Sequence, residues 1–172
     1  AVFQIDNAAK FLNTRRYRKK ILICNGKVRS KQSFKHNMAE VIINLAQDFP
    51  SCDFYCTAIF KHQCDNIFFT NDIIGINESD LNEISFISEH CDIIVGKNSG
   101  PFVYCVTKKN VFERPVTFIS FDNGSHDPTV NCNTHIDNLT WGLIGTMATY
   151  INSNVYSNEN MLNIIKSVLT DE

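Results

Sequence analysis

Short apolar runs alternate along this chain with longer segments in which apolar residues recur every three or four positions. The short runs lie at residues 20–24, 52–60, 66–70, 92–96 and 116–121 and are rich in β-branched and aromatic residues, which predicts five strands. The longer segments predict amphipathic helices. These helices are expected near residues 3–12, from a cap at Ser33 to Pro50, from a cap at Ser79 onward, and over residues 102–109, 139–151 and 160–169.

The alternation of strands and helices predicts the fold class. Segments of these lengths in this order favour an α/β, Rossmann-like fold, with a mostly parallel sheet and helices on both faces. With 172 residues and 44% hydrophobic content, the chain can build one core, so we expect a single domain over residues 1–172. Its parts are a leading helix or linker (1–19), core βα units (20–121), a long polar loop (122–138) and closing helices (139–172).

Charge and hydropathy narrow the range of partners. The formal net charge is −2, so no strong field attracts nucleic acid or an anionic membrane. The basic run from Arg15 to Lys20 is local. We interpret it as a solvated helix face that leads into the first strand, with a nucleic-acid patch as the alternative. No apolar run approaches the roughly 20 residues of a membrane span, so we expect no nucleic-acid partner and no membrane span.

The cysteines and the N-terminal residues bear on the cellular compartment. The count of seven cysteines is odd, and they are scattered through predicted strands, which indicates reduced thiols and a cytoplasmic location. No long apolar stretch marks a secretory signal. The start at Ala1 without a methionine suggests a domain of a longer polypeptide.

One group of cysteines has a spacing that superficially suggests zinc. Cys52 and Cys56 are four positions apart, and His62 and Cys64 follow. The residues at 53–57 nevertheless have the pattern of a strand, and no second ligand pair has the spacing of a zinc finger. We therefore predict structural thiols and no metal, with a metal site as the alternative.

The most informative chemistry lies where the fourth predicted strand ends. Its apolar run passes directly into Asn98-Ser99-Gly100-Pro101, and another apolar segment follows. Gly100 allows a tight bend, and Pro101 suits the first position of a helix. The N–H groups just past Pro101 would then lie without internal partners at the positive end of the helix dipole. This strand–turn–helix unit predicts a phosphate seat, with a plain structural turn as the alternative.

Three polar loops are expected to meet at one edge of the predicted sheet. In open parallel sheets, ligands bind at the carboxyl ends of the strands, near the point where the strand order reverses. The loops at residues 25–29, 71–79 and 97–101 would lie there. The first has no Gly-x-Gly-x-x-Gly fingerprint, and the chain holds no Gly-x-x-x-x-Gly-Lys-Ser/Thr motif. Both facts disfavour NAD, FAD and P-loop nucleotide hydrolysis, so we expect no bound cofactor.

The residues from Ser79 to Pro101 resemble part of a known enzyme family. They comprise Ser-Asp-Leu-Asn-Glu-Ile at 79–84, then an apolar strand, then Asn-Ser-Gly-Pro at 98–101. This order is similar to that in the C-terminal half of GT-B glycosyltransferases, above all the heptosyltransferase-like group, glycosyltransferase family 9. The likeness extends over residues 18–121 in element order. It implies one half of a GT-B fold, the half that holds the nucleotide-sugar donor.

The resemblance also implies roles for individual residues. Ser99 and Gly100 approach the donor diphosphate, and Lys27 or Arg29 neutralises part of its charge, as these cations can. Asn98 stands where the family commonly has Asp, and Val103 where it often has His. The resemblance further implies that Asn25, Gly26 and Lys27 line the phosphate side of the pocket and that Glu78 and Ser79 lie near the nucleoside. The predicted substrate-binding residues are therefore Asn25, Gly26, Lys27, Arg29, Glu78, Ser79, Asn98, Ser99, Gly100 and Pro101.

The implied function is nucleotide-sugar binding within a glycosyltransferase that acts in cell-surface polysaccharide or glycoconjugate synthesis. Transfer needs a base on the acceptor hydroxyl. In GT-B enzymes that base generally comes from the other half, so no catalytic residue is assigned and activity of the chain alone stays open. The expected partners are a nucleotide sugar and an N-terminal acceptor-binding domain. The alternatives are a non-catalytic α/β module that docks on a partner domain, and a small hydrolase or epimerase that uses Ser99 or His126.

Overall fold

A six-stranded sheet with every neighbouring pair of strands parallel forms the centre of the protein. The computed structural model describes residues 5–26, 37–75, 81–97, 100–122, 146–154 and 157–171. The strands are β1 (Lys19–Cys24), β2 (Cys52–Cys56), β3 (Ile67–Phe69), β4 (Ile93–Lys97), β5 (Thr117–Asp122) and β6 (Thr149–Asn154). The helices are α1 (Ile5–Thr14), α2 (Ala39–Asp48), α3 (Thr70–Ile74), α4 (Leu81–Ser88), α5 (Gly100–Tyr104) and α6 (Asn158–Thr170), with a π-helical turn at Lys109–Glu113.

The strand order is β3-β2-β1-β4-β5-β6. The chain therefore moves outward from β1 to β3, returns to the other side of β1 at β4, and moves outward again. The order reverses between β1 and β4, which makes their carboxyl ends the topological switch point. The predicted α/β, Rossmann-like fold with a parallel sheet is confirmed.

Helices cover both faces of the sheet, and each face has its own apolar core. Side chains alternate along β1, so that Ile21 and Ile23 lie in one core and Leu22 and Cys24 in the other. Helices α2 and α6 cover the first core, and α1, α3, α4 and α5 cover the second. Every residue of β2 and β4 is buried, as expected for interior strands of a parallel sheet covered on both sides. Among the described helices, none is both long and apolar enough to cross a membrane.

Two predicted strands are shorter than their apolar runs. The strand predicted over residues 52–60 ends at Cys56, and the one predicted over 66–70 ends at Phe69, where α3 begins. The side chain of Asn25 explains the first difference. Its amide donates to the carbonyl of Ala58 at 2.9 Å and accepts from the N–H of Ala58 at 2.8 Å, so the chain after β2 is bound to the end of β1 instead of extending its own strand.

The helix predicted over residues 139–151 is wrong for its last six residues, of which 146–148 lie in no helix or strand. Residues 149–151 belong to β6, which pairs in parallel with β5 along its whole length. The N–H of Thr149 donates to the carbonyl of Val116 at 2.9 Å. Thr-Tyr-Ile is β-branched and aromatic, so its strand propensity and the unpaired edge of β5 together decide against a helix. Residues 139–145 lie outside the described part of the chain.

Two helices begin or end at other residues than their periodicity predicts. Helix α2 begins at Ala39, where the carbonyl oxygen of the Asn37 side chain accepts from the Ala39 N–H at 3.0 Å. The predicted cap, Ser33, lies outside the described residues. The helix predicted over 102–109 ends at Tyr104. Beyond it, the buried amide of Asn110 donates to the Ser88 hydroxyl and to a backbone carbonyl of the preceding turn, each at 2.9 Å. These bonds fix the π-helical turn against α4.

The basic run is not a solvated helix face, because α1 ends at Thr14. Two of its members turn inward instead. Arg15 and Arg18 both donate to the carboxylate of Asp53, with Nη2 of Arg15 at 3.0 Å from Oδ1. Asp53 lies on β2 and is fully buried. A buried carboxylate needs cationic or hydrogen-bonding partners, and the basic run supplies them.

None of the described cysteines forms a disulfide bond, and most of them are buried. Cys24, Cys52, Cys56, Cys91 and Cys105 are buried, whereas Cys64 is partly exposed. Burial raises the pKa of the Cys56 and Cys91 thiols, because an apolar environment disfavours the thiolate. Over the described ranges, no group of three or more His, Cys, Asp or Glu side chains is arranged to hold a metal. Cys132 lies outside these ranges.

Among the described cysteines, we expect iodoacetamide to modify Cys64 first in the folded protein, because thiolate character and access both limit alkylation. The five buried thiols should react only when the protein unfolds. Peptide mass mapping with and without urea measures the order, and a Cys64→Ser variant serves as the control that removes the fast reaction. Rapid modification of Cys24 or Cys56 under native conditions would contradict the burial described here.

Candidate functional site at the carboxyl ends of β1 and β4

The switch point brings two of the three predicted loops to one corner. Cys24 at the end of β1 pairs with Gly96 near the end of β4. Asn25 and Gly26 therefore follow β1 where Gly100 follows β4. Of the ten predicted site residues, Asn25, Gly26, Gly100 and Pro101 lie in the described ranges. The other six, which are Lys27, Arg29, Glu78, Ser79, Asn98 and Ser99, lie outside them.

Asn25 positions the corner through its side chain. Both ends of its amide are bonded to Ala58, and its backbone N–H donates to the carbonyl of Ile23 at 3.0 Å. These bonds leave little of Asn25 for a ligand and tie the loop after β2 to the end of β1. Gly26 follows directly and is partly exposed. Asn25 therefore holds the loop after β2 against the end of β1, and Gly26 presents partly exposed backbone next to it.

Gly96 allows helix α5 to dock on the sheet. A Cβ atom at this position would lie 2.7 Å from Cδ2 of Phe102 and 3.0 Å from Cβ of Cys24. Phe102 is fully buried and packs edge-on against Phe118, with ring centroids 6.0 Å apart. The sequence prediction omitted Gly96 from the site. An isolated glycine inside a strand is the signal that could have found it, since it often marks a close approach.

Gly100 is the first residue of α5 and faces open space. Apart from its chain neighbours and the backbone of its own helix, a Cβ atom there would meet no atom of the described residues within 4 Å. Among the described residues, Gly75 is the one with positive φ, so Gly100 does not adopt the left-handed backbone of a tight bend. The helix begins one residue before the predicted start at Pro101. The glycine is thus required neither by packing nor by its backbone angles, which leaves room for an approaching ligand.

Lys97 places a buried cation at the end of β4. Its side chain is 3% exposed, and burial lowers its pKa because desolvation penalises the ammonium form. Alternation along β4 puts it on the same face as Val95. The sequence prediction began a loop at Lys97 and did not include it in the site. A lysine that directly continues an apolar strand at the switch point was the available signal.

Two buried hydroxyls lie along the same edge of the sheet. Thr57 and Thr70 directly follow β2 and β3, whose last residues, Cys56 and Phe69, are paired. The Oγ1 atoms of both threonines are buried and have no hydrogen-bond partner among the described residues. A Cβ atom on Gly26 would lie 4.0 Å from Thr57 Oγ1. Buried polar atoms are normally bonded, so these two oxygens can accept a partner that a ligand supplies.

The corner therefore combines three properties. Gly26 and Gly100 lack side chains, Lys97 supplies a positive charge, and the buried Thr57 hydroxyl can form a hydrogen bond next to Gly26. This arrangement suits the binding of an anionic, hydroxyl-bearing molecule. No protein-family model matches this sequence, and no curated protein matches it significantly.

Proposed function

We propose that this chain is the nucleotide-sugar-binding domain of a glycosyltransferase, with the donor diphosphate at the corner between β1 and β4. The observation that carries the proposal is the pairing of Cys24 with Gly96, which sets Gly26 and Gly100 at one switch point beside the buried Lys97. Nucleotides bind at this position in open parallel sheets. The resemblance to family 9 glycosyltransferases supports the same ligand.

The charge of Lys97 fits a diphosphate. A cation removed from water interacts more strongly with an anion than an exposed one does, because the effective dielectric constant around it is lower. The lowered pKa of Lys97 reports this desolvation. A phosphate that approaches would favour the ammonium form, and binding would then raise that pKa.

The remaining parts of the site come from the resemblance. We propose that Lys27 or Arg29 neutralises further charge, that Asn98, Ser99 and Pro101 shape the diphosphate pocket, and that Glu78 and Ser79 contact the nucleoside. An N-terminal acceptor-binding domain would complete the enzyme and carry the base. In this proposal the domain works in the cytoplasm, in the synthesis of cell-surface polysaccharide or another glycoconjugate.

Calorimetric titration with UDP-, GDP-, ADP- and CMP-sugars tests the proposal. We expect one nucleotide class to bind with millimolar or better affinity. A Gly100→Val variant should lose this binding, since its side chain fills the open space next to the diphosphate, and should keep its thermal stability. Gly100→Ala should weaken binding to a smaller extent.

Tyr104→Val is the matched control, because it places the same residue at the exposed end of the same helix. It should bind as the unmodified protein does. The proposal is wrong if none of the four nucleotide classes binds, or if a folded Gly100→Val variant binds with unchanged affinity.

A non-catalytic α/β module that docks on a partner domain is the second candidate. Two large apolar side chains that are well exposed favour it: Ile59 is 67% exposed and Tyr104 is 50% exposed. Exposed apolar side chains can take part in contacts with a partner. Dimerisation in the ultracentrifuge without any nucleotide affinity would select this candidate over the first.

A further inference from the structure

A second cleft lies at the opposite edge of the sheet, where the strands begin. It has a volume of about 820 Å³ and opens between the end of α1, the start of β1 and the residues that precede β4 and β5. Ligand sites commonly have volumes of about 300–1,000 Å³. Five cationic side chains line this cleft, namely Arg16, Arg18, Lys19, Lys20 and Arg114.

The cleft is positive although the chain as a whole is negative. Among the described lining residues, two are carboxylates, Glu89 and Asp92, and one cation, Arg18, is paired with the buried Asp53, against a net charge of −2 for the whole sequence. Glu89 lies 3.6 Å from the ammonium of Lys109. Asp92 accepts from the backbone N–H of Lys20 at 2.8 Å. The basic character is therefore concentrated here by the fold.

Neutral groups hold two of the cations in place. Lys20 is 5% exposed, and its Nζ donates to the backbone carbonyls of Arg16 at 3.3 Å and Arg18 at 2.6 Å. Arg114 donates to the carbonyl of Cys91 at 2.7 Å and to the side chain of Asn110 at 3.2 Å. Carbonyl partners orient a cation without neutralising it. An ammonium has three protons and a guanidinium five, so both side chains keep donors for an anion.

The rim of the cleft combines a cation with an aromatic ring. The guanidinium of Arg16 stacks over Tyr17 at 4.5 Å from the ring centroid. Tyr17 is 87% exposed. Leu12, Phe86 and Pro115 add apolar surface to the lining. An organic group attached to an anion would find contacts here that a bare inorganic ion would not use.

His90 also lines the cleft, and its pKa depends on its burial and on the charges around it. Its pKa is lowered by partial burial first, then by Lys109 and Arg114, against an opposing effect of Glu89 and a further lowering by Lys20. The ring also contacts Phe86, with centroids 5.0 Å apart. A neighbouring anion favours the imidazolium form, so an anion bound in the cleft should raise this pKa.

We propose that this cleft at the amino ends of the strands binds a small organic phosphate, with the phosphate among Arg16, Lys20 and Arg114 and the organic group against the apolar wall. Cations from two separate segments, residues 16–20 and Arg114, converge on the cleft, which suits an anion that carries more than one charge. The cleft volume of about 820 Å³ suits a small molecule better than an extended polymer. The site is independent of the nucleotide-sugar corner at the other edge of the sheet.

The test follows the ring protons of His90 by NMR during titration with phenyl phosphate and with inorganic phosphate. Both should raise the pKa of His90, and phenyl phosphate should bind more tightly. An Arg16→Glu variant should weaken binding by about tenfold or more, the effect expected for loss of a charge-assisted hydrogen bond. Arg16 is exposed and makes no side-chain hydrogen bond within the described residues, so this variant should fold.

Lys61→Glu is the matched control, since it changes the net charge equally at an exposed position in the loop after β2. It should leave binding unchanged, as should Gly100→Val, which alters only the other site. The proposal is overturned if His90 does not respond at millimolar ligand, or if both charge reversals weaken binding equally. Tighter binding of a single-stranded oligonucleotide or an anionic phospholipid vesicle than of phenyl phosphate at the same residues would also overturn it.

Discussion

A Gly96→Val variant is expected to lose about 3 kcal/mol or more of folding free energy, the upper end of the cost of overpacking a core. The added Cβ would lie 2.7 Å from the ring of Phe102, and the branched methyl groups would add further overlap. Helix α5 must then move off the sheet. In a domain of this size about 2–4 °C of melting temperature corresponds to each kcal/mol. Thermal denaturation followed by circular dichroism measures the shift.

A double-mutant cycle shows whether the ring of Phe102 is the cause. Gly96→Ala and Phe102→Leu should each destabilise the protein, the first by overlap and the second by a cavity. Combined, they should cost less than the sum of the two, because the smaller side chain makes room for the new methyl group. Strict additivity would mean that the close approach of Gly96 and Phe102 does not limit stability.

Removing both arginines that contact Asp53 should lower the free energy of unfolding about as much as Gly96→Val does. An Arg15→Ala/Arg18→Ala variant leaves the fully buried Asp53 carboxylate without its cations. Loss of the partners of a buried charge typically costs about 3–5 kcal/mol. Arg15 also stacks on Phe68, with its guanidinium carbon 4.5 Å from the ring centroid, and that contact is lost too. Urea denaturation gives the change in unfolding free energy.

Two further variants separate charge from packing. Adding Asp53→Asn to the double variant removes the stranded charge, so the triple variant should be more stable than the double one. Arg16→Ala removes a cation from the same basic run that has no contact with Asp53, and its effect should stay within about 0.5 kcal/mol, as at other surface positions. A triple variant no more stable than the double one would show that the arginines act through packing alone.

The two sites give the two edges of the sheet different chemistry. At the carboxyl edge, glycines and the buried Lys97 surround the corner between β1 and β4. At the amino edge, cations held by backbone carbonyls line an open cleft. If both proposals hold, the domain binds a phosphate at each edge, and the Gly100→Val and Arg16→Glu variants remove one binding event each.

Much of the fold follows from local pattern. The apolar runs at β1, β4 and β5 form strands that are mostly buried, and runs of that kind are recognisable without tertiary information. The helical periodicity of α2, α4 and α6 was equally clear, and the predicted helices differ from the observed ones only in the residues at which they begin or end. A distant partner sets the end of one strand: Asn25, after β1, bonds to Ala58 across 33 positions and so ends β2 early, and no local pattern contains that information.

The sequence indicated where in the fold the candidate site lies, but it missed some of the residues that form it. The motif at residues 98–101 and the loop after β1 pointed to the corner that the strand order places at the switch point. Gly96 and Lys97 were omitted, although they adjoin the motif. Their significance depends on which atoms surround them, Phe102 in one case and the buried end of a strand in the other.

The sequence by itself determined that this protein would be a parallel α/β domain, because hydrophobic periodicity and turn residues act within short segments. It also located the turn after the fourth strand as the place to look for a ligand. Only the tertiary structure decided that residues 149–151 form a strand, that two members of the basic run neutralise Asp53, and that the remainder of the run lines a cleft. Those outcomes depend on contacts between residues far apart in the chain, where pairing at a sheet edge and the cost of a buried charge outweigh local preference.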